Sequence, residues 1–148
     1  MRLEGGQKIG AVGLAIEAGE LESRPVWRML VRRFITGGLN QGVSRVVVDR
    51  ETMRPRRTEW DHTILGAANA VWDNQKVVIT KGKGSDQSET SVDLDGLAYS
   101  NDQTFYSLRM LPLEVDYKTT IPLRVAFTGG NPVGFEVSVS KKEQIETP

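Results

Sequence analysis

The segment Val133-Gly134-Phe135-Glu136-Val137-Ser138-Val139 places an apolar residue at every second position, with small or polar residues between. Just before it, Ile121, Leu123, Val125 and Phe127 alternate in the same way with Pro122, Arg124 and Ala126. A period of two is the pleat of a β-strand buried on one face. The intervening Gly129-Gly130-Asn131-Pro132 is turn chemistry, since glycine accepts positive φ and proline opens the next strand. The two segments therefore form a hairpin with one apolar face. A chain with such a hairpin must build a sheet and cover one side of it.

Earlier segments follow the same plan. Val12, Leu14 and Ile16 alternate with Ala11, Gly13 and Ala15, which predicts a strand near residues 7–17. Residues 25–36, PVWRMLVRRFIT, also fit a helical stripe. Strand is favoured, because Val26, Arg28, Leu30, Arg32 and Phe34 fall on one face and Trp27, Met29, Val31 and Arg33 on the other. Further strands are expected at Gly42–Asp49, around RRTEWDHT, and in a hairpin of Ala67–Trp72 with Lys76–Thr80 about Asp73-Asn74-Gln75; Thr90–Leu94 begins the return. Strands spaced about 8–12 residues apart with turns between them read as a mainly β antiparallel meander, open or closed.

One short helix is expected near residues 102–111. Asn101 or Asp102 can cap it, Phe105, Tyr106, Leu108 and Met110 give it an apolar side, and Pro112 ends it. Two turns are too few to stand alone in water, so the helix must lean on the sheet.

The 148 residues make one β-rich domain, spanning 1–148. Nineteen basic and nineteen acidic side chains cancel, so no global field favours nucleic acid. Residues 1–57 nevertheless carry eleven Lys or Arg against six Asp or Glu. The lack of cysteine excludes disulfides, thiolate nucleophiles and zinc–thiolate sites. No apolar run approaches the ~20 residues of a membrane-spanning helix, so the chain is not expected to be an integral membrane protein.

No catalytic constellation is visible. His62 is the single histidine, and its neighbours Asp61 and Glu59 fall on the opposite strand face, so a plain strand histidine is favoured over a general base. Asp93 and Asp95 share a face but read as a solvated strand end rather than a calcium site. Lys81-Gly82-Lys83-Gly84-Ser85 lacks the spacing of a phosphate loop and reads as a hairpin tip. Arg28, Arg32 and Arg45 could align as a basic wall, although a solvated face is the simpler reading. No metal or other cofactor is called for.

Four stretches taken in order resemble the bacterial exported family catalogued as domain of unknown function 3108. They are GQKIGAVGLAIEAG, VVVDRETMRP, DQTFYSLRMLPL and VSVSKKEQIETP. The resemblance implies a strongly curved antiparallel sheet, an open half-barrel like that of the lipoprotein carriers, with helical cover. It also implies export to the periplasm, although MRLEGGQKIG has no signal-like segment. Relatives continue past threonine-proline, so the last strands are expected to be missing here. Arg109 matches the family's arginine and is expected to clamp the helix through Asp102 or Glu114.

The expected function is non-enzymatic: an envelope module holding an acyl chain or other hydrophobic ligand in the hollow under the helix. Trp27, Leu30, Phe105, Leu108, Ile121, Leu123 and Phe135 are the candidates to line it. The alternatives are an assembly module binding an envelope protein and, third, a hydrolase centred on His62.

Overall fold

The computed structural model describes residues 10–35 and 40–142. Seven strands follow one another as an antiparallel meander: β1 (Gly10–Leu21), β2 (Arg24–Ile35), β3 (Asn40–Asp49), β4 (Pro55–His62), β5 (Gly66–Trp72), β6 (Lys76–Lys81) and β7 (Ser88–Asp93). Sheet order equals chain order, and β1 and β7 are not paired with each other, so the sheet stays open. The β1–β2 turn is made by Glu22 and Ser23, both at positive φ, the two-residue geometry that matches strand twist. Residues 25–36 are thus a strand as far as Ile35, and the stretch expected at 7–9 lies outside the described residues.

A second, three-stranded sheet has the order β10-β9-β8, with β8 (Tyr99–Ser100) parallel to β9 (Lys118–Val125) and β10 (Asn131–Ser138) antiparallel to it. The expected hairpin is there, with Val133 opposite Leu123 and Phe135 opposite Ile121, but β9 stops at Val125 and a 3-10 turn (Ala126–Thr128) replaces the strand expected as far as Phe127. Its turn needs Gly129 and Gly130, both at positive φ; a Cβ on Gly130 would lie 2.9 Å from Val92 Cγ2. Ile121 and Leu123 are buried, whereas Val133 and Phe135, on the outer strand, are 44% and 37% exposed.

Between β8 and β9 a 3-10 turn (Asn101–Gln103), α1 (Thr104–Ser107) and another 3-10 turn (Leu108–Met110) run on without a break. The cap differs from expectation. Ser100, not Asn101 or Asp102, is the N-cap: its hydroxyl accepts from the Asp102 amide at 3.3 Å, and its own amide donates to Gln103 Oε1 at 3.2 Å. This reciprocal capping box satisfies two orphan donors at once.

The helical segment and the small sheet share the work of covering one face of the meander. Met29, Val31, Val46, Val48, Met53 and Tyr106 form one core, flanked by Trp27 and Tyr99. Ala70, Trp72, Val77 and Ile79 form the other, against Val92, Leu94 and Ala126. Cross-strand partners in antiparallel pairs point to the same side, so the register Met29–Val46–Thr58–Ala70–Ile79 defines the covered face, while Ile16, opposite Met29 on β1, lies beyond the cover and is 45% exposed.

Candidate functional site

The covered face is filled. Val31, Val46 and Val48 are 0% exposed and Met29 2%. The helical segment is held there by a chain of polar contacts. Gln103, fully buried, donates to Met53 O at 2.9 Å. Arg33 donates to Asp102 Oδ1 at 3.1 Å and to Ser44 Oγ at 2.9 Å, and Ser44 Oγ donates to the same Asp102 oxygen at 2.7 Å. Thr58 receives the Trp72 indole N–H at 3.3 Å and donates to Ser100 Oγ at 3.4 Å. The Tyr106 hydroxyl sits over the Ala15–Leu30 pair, 2.6 Å from Ala15 O and 2.9 Å from Leu30 O, and shares its one proton between them. Burial raises the Tyr106 phenol above the usual tyrosine range, against a smaller lowering effect of the Arg109 charge.

The Asp102 clamp therefore exists with a different partner from the one expected. Arg109 is exposed and makes no hydrogen bond or ion pair among the described residues, whereas Arg33, on β2, reaches Asp102 from the sheet. Arg109 lies seven positions on from Asp102 through tight helical turn, which places their side chains about two turns apart. The sheet comes closer than the helix's own far end.

The opposite face carries no helical segment or second sheet among the described residues, although Val26, on the same face of β2 as Arg28 and Leu30, is 1% exposed. Two cross-strand rows run side by side on it: Ala15–Leu30–Arg45–Glu59 and Glu17–Arg28–Val47–Arg57. Between them lies a groove of about 320 Å3, with Ala15, Leu30 and Val47 along its apolar floor and Arg28, Arg45 and Arg57 about it. Two further hollows adjoin at Arg45, one reaching Arg32 and His62, the other Asp61 and Lys83. Another hollow of similar size lies on the small sheet by Pro122, Pro132 and Val133; its Arg124 guanidinium reaches Gly130 O at 3.4 Å.

Of the seven residues expected to line a ligand hollow, Leu30 alone lines this groove. Trp27 packs on the covered side with Arg50 stacked 4.6 Å from its ring centroid. Leu108 is half-buried, Phe105 is 47% exposed, Ile121 and Leu123 belong to the packed face of β9, and Phe135 is on the open edge strand. His62 Nδ1 accepts the Ile64 and Leu65 amides at 3.1 and 3.2 Å, so this nitrogen closes the β4–β5 turn. Alternation alone missed Ser44, Thr58, Ser100 and Gln103, because small polar residues carry no hydrophobic signal. Ser100 with Gln103 was readable as a capping-box pair.

The fold and the groove define a class: an open antiparallel sheet with one face sealed by a polar-locked helical segment and a small sheet, and the other face free. The chain belongs to the family described as protein of unknown function (DUF3108), whose model matches residues 1–148, the whole chain. Neither a curated protein nor a solved structure matches it.

Proposed function

We propose that this protein is a non-catalytic binding module of the cell envelope that holds an elongated apolar ligand in the groove on its free face. The observation that carries this reading is the pairing of a filled side with a hollow one. The apolar floor of Ala15, Leu30 and Val47 is exposed or half-buried, while the valines beneath the helical segment are sealed. The groove's volume falls at the low end of the ~300–1,000 Å3 of small-molecule sites. At ~25 cal/mol per Å2, burying ~300 Å2 of apolar ligand contributes about 7.5 kcal/mol before ordering costs. The envelope setting rests on the resemblance to exported proteins.

Ala15→Trp tests the reading. The exposed Ala15 side chain lies on the groove floor, so an indole there occupies the groove while the packed face is untouched. We expect dodecanoate affinity to fall about ten-fold, in line with one lost apolar contact surface, at an unchanged melting temperature. Equal affinity in the variant and the parent contradicts the assignment.

A second reading, a module that pairs with another protein strand, is favoured by one observation. On the terminal strand β1, Val12, Leu14 and Ile16 share a face and are 37–45% exposed. An edge strand with an apolar face is a template for an added strand. Leu14→Lys leaves the groove intact and should abolish capture of such a partner; undiminished capture counts against this second reading.

A further inference from the structure

We infer that the ligand of the free-face groove is a single-chain amphiphile with an anionic head, a carboxylate or a phosphate, received by Arg28, Arg45 and Arg57. This rests on the groove-binding reading above and adds the chemical class of the ligand. The register places the three arginines on three consecutive strands. Arg28 and Arg57 flank Val47 in one cross-strand row, and Arg45 lies two residues from Val47 on the same strand face. Arg45 is thus the diagonal neighbour of both, at the ~7–8 Å spacing of such positions.

The three arginines line one groove as like charges, with the Arg28 guanidinium drawn along β1 over Gly19 and the Arg45 and Arg57 side chains left exposed. The fold supplies two carboxylates at the ends of the rows, Glu17 opposite Arg28 and Glu59 opposite Arg45. Neither closes an ion pair: the ion pairs among the described residues are Arg33–Asp102, Arg56–Asp49 and Lys83–Asp61. Arg45 and Arg57 make no hydrogen bond there either, while Arg28 donates to Glu20 O at 2.9 Å. Three guanidiniums against two carboxylates leave the groove short of one negative charge. The missing charge sits beside an apolar floor, which selects an anion that carries a hydrocarbon chain over a bare one. Guanidinium is suited to the head because its planar fork meets carboxylate or phosphate oxygens two at a time.

The test is calorimetric titration of the full chain with dodecanoate, dodecyl phosphate, monododecanoylglycerol and inorganic phosphate, each below its aggregation concentration. It is repeated on Arg45→Gln/Arg57→Gln, whose exposed side chains can change without disturbing the core. The two anionic amphiphiles are expected to bind about ten-fold more tightly than the neutral one, and the double variant to erase that difference. If the neutral amphiphile binds as tightly as dodecanoate, the head-group assignment falls while groove binding stands. Should inorganic phosphate match dodecyl phosphate, the amphiphile is excluded in favour of a simple anion site. No binding by any amphiphile overturns both this inference and the groove reading.

Discussion

Tyr106 fastens the helical cover to the two strands at the sheet's first edge, with one hydroxyl poised over the Ala15 and Leu30 carbonyls. Removing that hydroxyl in Tyr106→Phe leaves two strand carbonyls without this donor and should cost about 1–3 kcal/mol in urea unfolding. Its pKa is raised in the fold, so the unfolded chain releases this proton first. The stability it contributes is therefore full below the ordinary tyrosine pKa of 10.0 and is lost as pH rises through the folded value. Tyr106→Phe should flatten the alkaline limb of the stability profile. An unaltered limb would remove Tyr106 from the lock. The clamp is just as specific. Asp102→Ala strands Arg33 and Ser44 and should cost about 1–3 kcal/mol, whereas Arg109→Ala should melt within about 0.5 kcal/mol of the parent. The reverse order would restore Arg109 as the clamp.

Among the elements, the turn from β3 to β4 shows how a polar sequence closes a sheet. Asp49 Oδ1 accepts the Thr52 and Glu51 amides at 2.9 and 3.1 Å and the Thr52 hydroxyl at 2.9 Å, and its other oxygen faces Arg56 at 3.5 Å. The Thr52 amide is the largest of the effects that hold this carboxyl below the ordinary range, against an opposing effect of burial. Its pKa is depressed in the fold, so its contribution is present above the ordinary value of 3.8 and is lost as pH falls through the folded value. Asp49→Asn should shrink the acid limb of the urea midpoint below about pH 4 without removing it, since Asp73 is depressed in the same way by the Gln75 and Lys76 amides. An acid limb of unchanged depth in Asp49→Asn would mean that the turn carries no such linkage.

For the whole molecule, the strands were legible because alternation and turn residues are local signals; the 121–139 hairpin and its Gly-Gly turn follow from them directly. The short helix was legible too, from Pro112 and its apolar side. Which face of the meander would be sealed was not. Strand β2 carries apolar residues and arginines on both faces, so its pattern fits either orientation. The faces are distinguished by tertiary contacts that no local pattern encodes, such as Ser44 and Thr58 meeting Asp102 and Ser100 across more than forty residues. For the same reason the apolar residues chosen as a ligand lining are largely core or edge, and the groove's floor is made of Ala15, Leu30 and Val47 among arginines.

Methyl NMR of the labelled protein titrated with dodecanoate tests this division of faces most directly. Leu30 and Val47 methyl signals should shift together and saturably, while those of Val31, Val46 and Val48 stay in place. Shifts concentrated on the sealed valines and Leu108, with Leu30 and Val47 unmoved, would contradict it and return the ligand to the space beneath the helical segment.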